Sequence, residues 1–435
     1  MNSIAAAREA QRTWENFPIQ RRLAAVRQLR LAIAAEPARL AGLAAAPNDR
    51  PVAEKLVSEV IPLLDACRFL EREARWTLRT KRYGARGRPL WLRGSSFVVE
   101  RKPFGVVLVV GPGNYPLFLP AVQLLQALVA GNAVLVKPAE NCSAPLQWIV
   151  LQLRLAPDLV QLLPEPPESA RQAVRAGVDA VVFTGSSENG RDLLGLMAKR
   201  NTPGIFELSG ADSVFVRHDA DVALAAKAVV FGRRLNGGET CMAPQNIFAH
   251  SAVAERLRDS LGEGFSVRAF ADDAEAIAWA RQAEFGLGAA IFSADEMAAR
   301  AFARQLPTGF VVINDLIVPT ADPRFPFGGV RASGFGTTRG AEGLLALTYP
   351  HVIATRRGKT RPHLEALNPA DAEIFAAYIR SAYGPRRGRL RSLGDLLQTV
   401  RRRGSVAAGE SPAGTSPMAE FPTTPDAADT AASTT

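Results

Sequence analysis

The chain has 435 residues, 47% of them hydrophobic, enough for two globular domains or one large domain with extensions. Three cysteines scattered over that length argue against a disulfide framework and for a reducing, cytoplasmic setting. The net charge of +10 is local: residues 356–403 hold twelve Lys and Arg against four Asp and Glu, while residues 404–435 hold four acids and no base.

Residues 1–10 contain no uninterrupted apolar core, so no secretory signal is expected. Ala-rich, Arg-rich windows over residues 4–80 put Leu23, Val26, Leu29, Leu31 and Ile33 roughly on one face and predict helices. Gly84, Gly87 and Pro89 then punctuate short segments, which suggests an extended arm over residues 85–103. Residues 105–136 carry no charge, but Pro112, Pro116 and Pro120 would break a lipid-spanning helix, so no membrane span is expected. Strand 104–110, helix 120–129 and strand 133–136 fit this stretch better. Further buried strands are expected at 178–183, 247–249, 289–292 and 310–313. Strands alternating with helices give an α/β fold built on parallel sheets. Beyond Pro362 two short helices are expected, and from Gly404 the Ala, Ser, Thr, Pro and Gly composition predicts disorder. The basic segment, with Arg386, Arg387, Arg389, Arg391 and Arg401 to Arg403, is a weak candidate for an anionic surface. Without interleaved aromatics it gives no reason to expect nucleic acid.

Chemistry-bearing residues gather at predicted strand ends. Cys241 closes Asn236-Gly-Gly-Glu-Thr-Cys, where a glycine pair lets backbone amides approach a ligand. Glu207, in Phe206-Glu-Leu-Ser-Gly, precedes it by 34 positions, and a thiol with a carboxylate base is the minimum for covalent chemistry on a carbonyl. Read alone, a lone Cys is also a small buried hydrophobe, which is the better reading of Cys67. Asn114 in Gly111-Pro-Gly-Asn-Tyr-Pro ends the first buried strand and could donate to an oxyanion or merely satisfy its own turn. Lys137, followed by Glu140, is either a ligand contact or a snorkelling side chain. Gly185-Ser-Ser-Glu-Asn-Gly190 opens a helix and would favour a phosphate, although it is not a P-loop. The histidines show no pairing with a cysteine, and no metal site is expected.

Taken in order, these motifs resemble the NAD(P)-dependent aldehyde dehydrogenases. The resemblance rests on Phe104-Gly-Val-Val-Leu-Val-Val-Gly-Pro-Gly-Asn-Tyr-Pro, Ala130-Gly-Asn-Ala-Val-Leu-Val-Lys-Pro-Ala-Glu, Val182-Phe-Thr-Gly-Ser and the Glu207 and Cys241 segments. Pro326-Phe-Gly-Gly-Val-Arg-Ala-Ser-Gly-Phe-Gly completes it, and the match covers roughly residues 10 to 355. It implies a Rossmann-like NAD-binding domain with N-terminal helices (1–205) and an α/β catalytic domain (206–330). A return segment with an oligomerisation strand (331–358), a basic helical extension (359–403) and a disordered tail (404–435) follow. An arm from 85–103 and 346–357 would make a homodimer or homotetramer.

By the same resemblance Cys241 attacks the aldehyde, Asn114 and the Cys241 amide hold the oxyanion, and Glu207 activates water against the thioester. Lys137 and Glu140 meet the adenosine ribose, which favours NAD over NADP; Gly185, Ser186 and Gly190 lie by the pyrophosphate; Phe327 lines the substrate channel. Glu263 is the candidate for the nicotinamide ribose. Cys241 and Phe327 are only 86 positions apart, shorter than the family usually has, and the missing residues are expected between Cys241 and Glu263. Gln123 stands where many members have Lys, and Ser209-Gly210-Ala211 replaces Gly-Gly-Lys. Two alternatives stay open: a degenerate nucleotide-binding member without turnover, and a CoA-acylating or esterase-like thiol enzyme.

Overall fold

Val-rich runs with no charge need partners on both faces, and the chain supplies them with helices between most of its strands. The computed structural model describes residues 4–44, 50–358, 361–364, 366–367, 371–385, 394 and 396–398. Helices Ile4–Glu15, Ile19–Ala35, Pro37–Leu43, Val52–Lys55 and Ile61–Thr77 come first, the last two joined by a π turn at Leu56–Val60. Their buried stripe packs, together with helix Phe118–Ala130, into one core with a six-stranded sheet.

That sheet runs Gly334–Phe335, Gly204–Glu207, Ala180–Thr184, Val106–Val110, Ala133–Lys137, Val160–Leu162. All pairs are parallel except the two-residue edge Gly334–Phe335. Asn132 pins its centre. Completely buried, it accepts from the Gly105 N–H (3.0 Å) and donates to the carbonyls of Ala127 (3.1 Å) and Leu347 (3.0 Å). One amide thus ties the start of a central strand, the end of a helix and the chain's return segment.

The second sheet is wholly parallel, in the order Val267–Phe270, Pro244–His250, Asp212–Val216, Gly288–Phe292, Phe310–Ile313. Its period-2 alternation divides two cores: Val214, Val216, Ala290 and Phe292 face one side, Phe215, Ala289 and Ile291 the other. A third, antiparallel sheet joins Lys81–Tyr83, Ser95–Pro103 and Thr348–Arg356, with nine residues in register from Thr348↔Pro103 to Arg356↔Ser95. Its outer strand leaves Val352 57% and Ile353 42% exposed.

The expected helices and strands are present with ends shifted by at most three residues, and the uncharged 105–136 stretch is strand, loop, helix, strand. Four core strands escaped the sequence reading: Val160–Leu162, Gly204–Glu207, Asp212–Val216 and Val267–Phe270. Each is short or broken by a glycine or a charge, so periodicity alone could not find it. Residues up to Arg356 form one unit and those from Arg357 another, in which helix Asp371–Tyr383 is described. Arg386, Arg387, Arg389, Arg391, Arg401 to Arg403 and the whole 404–435 stretch lie outside the described residues. No helix among the described residues is long and apolar enough to cross a membrane.

Asn132→Ala strands one buried N–H and weakens two buried carbonyls. It should cost about 2–4 kcal/mol, read as a lower denaturation midpoint with an unchanged m-value.

Candidate active site

The strand order fixes where a ligand can enter. The chain leaves Val106–Val110 toward Ala133–Lys137 on one side and returns to Ala180–Thr184 on the other. Such a reversal opens a crevice at the carboxyl ends of the strands. A cleft of about 1070 Å³ lies there, lined by the turns after these strands and, at its far end, by Glu207, Cys241 and Phe327. Lys137 is buried at a strand end, where burial lowers its pKa against the pull of Glu140 and Glu165. Glu140 lines the same cleft from an exposed position. Ser186 caps helix Ser187–Ala198 by accepting from the Asn189 N–H (3.3 Å), and Gly185 passes so close to Phe183 that a Cβ would lie 2.9 Å from its ring.

Two expected cofactor contacts are not brought to the cleft. Gly190 sits inside that helix, where a Cβ would meet Leu208 at 2.6 Å, so its glycine serves helix-to-sheet packing. Glu263 is exposed in the turn between helix Ser251–Leu261 and the edge strand Val267–Phe270 and is absent from the cleft lining.

The Cys241 loop is built by left-handed residues. Asn236 (φ 55°), Gly237 (φ 61°) and Gly238 (φ 84°) follow one another, a path that Asn and Gly tolerate and β-branched residues do not. The neighbouring Gly111–Pro116 loop is laced to it. Asn114 Nδ2 donates to the Glu239 carbonyl (2.7 Å), Asn236 Nδ2 donates to the Asn114 carbonyl (2.8 Å), and the Tyr115 and Thr240 hydroxyls share a hydrogen bond (2.8 Å). Two N-terminal carboxylates hold both loops. Glu54 accepts from the Asn236 N–H (2.8 Å), and Glu59 accepts from the Leu117 and Phe118 N–H groups while pairing with Arg50 at 2.7 Å. Gly210 closes the site from below: a Cβ there would lie 2.5 Å from the Cys241 carbonyl oxygen.

Electrostatics around the thiol run against ionisation. Burial first, then Asp212 and Glu207, push the Cys241 thiol up to about 12, with Arg339 pulling the other way. Burial also raises Glu207, which is restrained by Arg339 and by hydrogen bonds with the Thr338 and Thr184 hydroxyls. Gln123 Nε2 donates in turn to Thr184 (2.9 Å). On the other side of Cys241 opens an apolar tunnel of about 230 Å³. Tyr115, Phe118, Met242, Phe231 and Phe327 line it, and Cys241 and Glu207 border tunnel and cleft alike.

The aldehyde dehydrogenase family model matches residues 2–266 and 264–353. The chain belongs to the aldehyde dehydrogenase family. A 4,4'-diapolycopene aldehyde oxidase from Methylomonas sp is 28% identical over 460 residues, spanning 88% of this chain and 86% of that protein. Staphylococcus aureus AldH in a substrate-bound state superposes with a TM-score of 0.78 at 21% identity, covering 87% of this chain and all of that one. A Mycobacterium tuberculosis aldehyde dehydrogenase complexed with NAD+ gives a TM-score of 0.75 at 20% identity, with 82% and 90% covered. Both structural likenesses speak for the fold alone. The two matched pieces meet at 264–266, so the family pattern breaks immediately after Glu263, slightly downstream of where the spacing puts the missing residues.

Sequence reading missed Thr338, Arg339 and Asp212. Arg339 carries a faint signal, since it is the first charge after the uncharged run 332–338. Asp212 begins a strand, is buried and accepts from the Gly288 N–H (3.0 Å); burial raises its pKa to about 7. The folded chain therefore holds a proton that the unfolded chain releases near pH 4, so stability should fall as pH rises from about 4 to about 7 and level off above. The slope from this group is at most about 1.4 kcal/mol per pH unit. Asp212→Asn should flatten it in urea titrations across that range, and an unchanged slope would assign the effect elsewhere.

Proposed function

We propose that this chain oxidises an apolar aldehyde to its carboxylic acid with NAD as hydride acceptor. One observation carries the reading: Cys241 and Glu207 stand where a dinucleotide-sized cleft of mixed polar and apolar lining meets an apolar tunnel. The aldehyde enters by the tunnel, whose lining suits a hydrocarbon chain, in line with the diapolycopene aldehyde in the Methylomonas relative's name. Cys241 Sγ adds to the aldehyde carbon, and Asn114 with the Cys241 amide steadies the oxyanion of the thiohemiacetal. A nicotinamide held in the cleft supplies the acceptor for the hydride that leaves this carbon. Glu207 then takes a proton from the water that hydrolyses the thioester, freeing acid and thiol.

The cleft suits such a cofactor. Gly185 leaves room where a Cβ would crowd Phe183, a helix N-terminus faces the phosphate position, and Lys137 with Glu140 suits a ribose. The Glu140 carboxylate would repel a 2′-phosphate, which favours NAD over NADP. Three cysteines scattered along the chain, rather than a disulfide framework, fit the cytoplasm. A second reading, nucleotide binding without turnover, is favoured by the broken pattern at 264–266 and by Glu263 lying outside the cleft lining.

A panel of short, aromatic and long-chain aldehydes with NAD and NADP separates the two. The first reading expects aldehyde-dependent NADH at 340 nm, greatest with long apolar aldehydes and lost by about a thousandfold or more in Cys241→Ser. Glu207→Gln should keep a burst of NADH and lose steady turnover by about 10²–10⁴-fold. NAD binding without any NADH would favour the second reading.

The exposed strand Thr348–Arg356 further suggests that two copies pair through it, as a homodimer or half of a homotetramer. Val352→Glu with Ile353→Lys should shift light-scattering mass to that of a single chain; a wild-type monomer would refute the pairing.

A further inference from the structure

One charge in the tunnel has no part in the scheme above. Arg339 is only 6% exposed. Its Nη1 donates to the Thr320 carbonyl, its backbone N–H donates to Gln126 (3.3 Å), and its guanidinium lies 4.2 Å from the Phe327 ring centre and 5.9 Å from that of Phe118. Its Nε has no hydrogen-bond partner, and Glu207 attracts it through space rather than in a direct ion pair. Arg339 also adopts a left-handed φ of 58°, which an arginine rarely takes, at the tunnel wall shared with Cys241 and Glu207. A guanidinium held in an apolar wall without a direct counter-ion is costly unless negative charge appears beside it.

We propose that Arg339 is the counter-charge of this site: a positioning residue that lets Cys241 become a thiolate and Glu207 a carboxylate inside an apolar tunnel. The inference deepens the proposed function and rests on Cys241 being its nucleophile. The charged groups acting on Cys241 among the described residues are Asp212 and Glu207, both acidic, and Arg339. The Tyr115 and Thr240 hydroxyls beside it bond to each other. Glu207 meets Arg339 and the Thr338 and Thr184 hydroxyls. Removing Arg339 takes away the one positive charge acting on Cys241 among the described residues and leaves two acids that oppose the thiolate against a single backbone hydrogen bond that favours it, so the thiol should titrate higher; a lysine would keep the sign of the charge with a shorter reach.

The test is the pH profile of Cys241 alkylation by iodoacetamide, followed by mass spectrometry in the full chain, its Arg339→Gln variant and its Arg339→Lys variant. Circular dichroism reports whether each is folded. Arg339→Gln should react about tenfold more slowly near pH 8, with its profile displaced upward by about one unit, while Arg339→Lys stays within about threefold of the wild type. Superimposable Gln and wild-type profiles would overturn the proposal. Should the Gln variant fail to fold, the wild type decides alone. Its ratio of iodoacetate to iodoacetamide reactivity at Cys241 should exceed that of the urea-unfolded chain, and an equal or lower ratio overturns the proposal. Alkylation needs no turnover. An Arg339-dependent profile without aldehyde oxidation would therefore sink the proposed function and leave this inference standing.

Discussion

The site depends on a set of hydrogen bonds that joins two loops from different sheets. The Gly111–Pro116 loop has no regular secondary structure and the Asn236–Cys241 loop only the end of a 3-10 turn, Leu235–Gly238, distorted at Asn236 and Gly237, and both carry backbone polar groups into partly buried space. Each therefore satisfies the other, through Asn114 to Glu239, Asn236 to Asn114 and Tyr115 to Thr240. The remaining amides are met by Glu54 and Glu59 of the N-terminal helical segment, and the Glu59 charge is tolerated because Arg50 and two backbone N–H groups surround it. A helical segment far from Cys241 in sequence thus sets the position of the thiol.

The same burial that orders these loops sets the charge balance at the thiol. Cys241, Glu207 and Asp212 all lie where desolvation favours their neutral forms. Burial thus works against the ionised thiol, pushing Cys241 up to about 12, and shifts the Glu207 carboxyl in the same upward direction. The hydroxyls of Thr338 and Thr184 and the guanidinium of Arg339 are the groups that work against this. All are fixed by backbone geometry: Thr338 forms a bridge to Phe327, and Thr184 ends a central strand next to Glu207.

How much of this could be read from the sequence follows from range. Strands 106–110, 133–137 and 288–292 announce themselves because each is an apolar run bounded by glycine or a charge. The family motifs brought Cys241, Glu207, Asn114, Lys137 and Gly185 to one cleft: the last four lie at or just after strand ends, which parallel sheets gather together, while the Cys241 segment, between helix Val222–Arg234 and strand Pro244–His250, is laced to the Asn114 loop. Glu263 and Gly190 do not line that cleft, and the reason is the converse. A short match after a break in the family pattern carries no geometry, and a glycine in a phosphate-type loop can be required by packing on its far side, as Leu208 requires Gly190. Thr338 and Asp212 were invisible, and Arg339 nearly so, because their importance lies in what faces them across the fold.

The broken pattern at 264–266 bears on the site less than its proximity to Cys241 in sequence suggests. It falls in the turn leading to Val267–Phe270, which is the outermost strand of its sheet and pairs only with Pro244–His250. Residues lost at an edge remove no hydrogen bond from the central strands, and Val267 and Phe270 still bury their side chains against the two cores. The Cys241 loop is anchored from the other direction, by Glu54, Asn114 and Tyr115 and by the close approach of Gly210. The thiol is therefore held by contacts that the missing residues do not make. Glu263, exposed in its turn, is not among the residues that line the cleft; Ser209, Gly210, Gln245 and Leu287, none of them charged, line it together with the thiol.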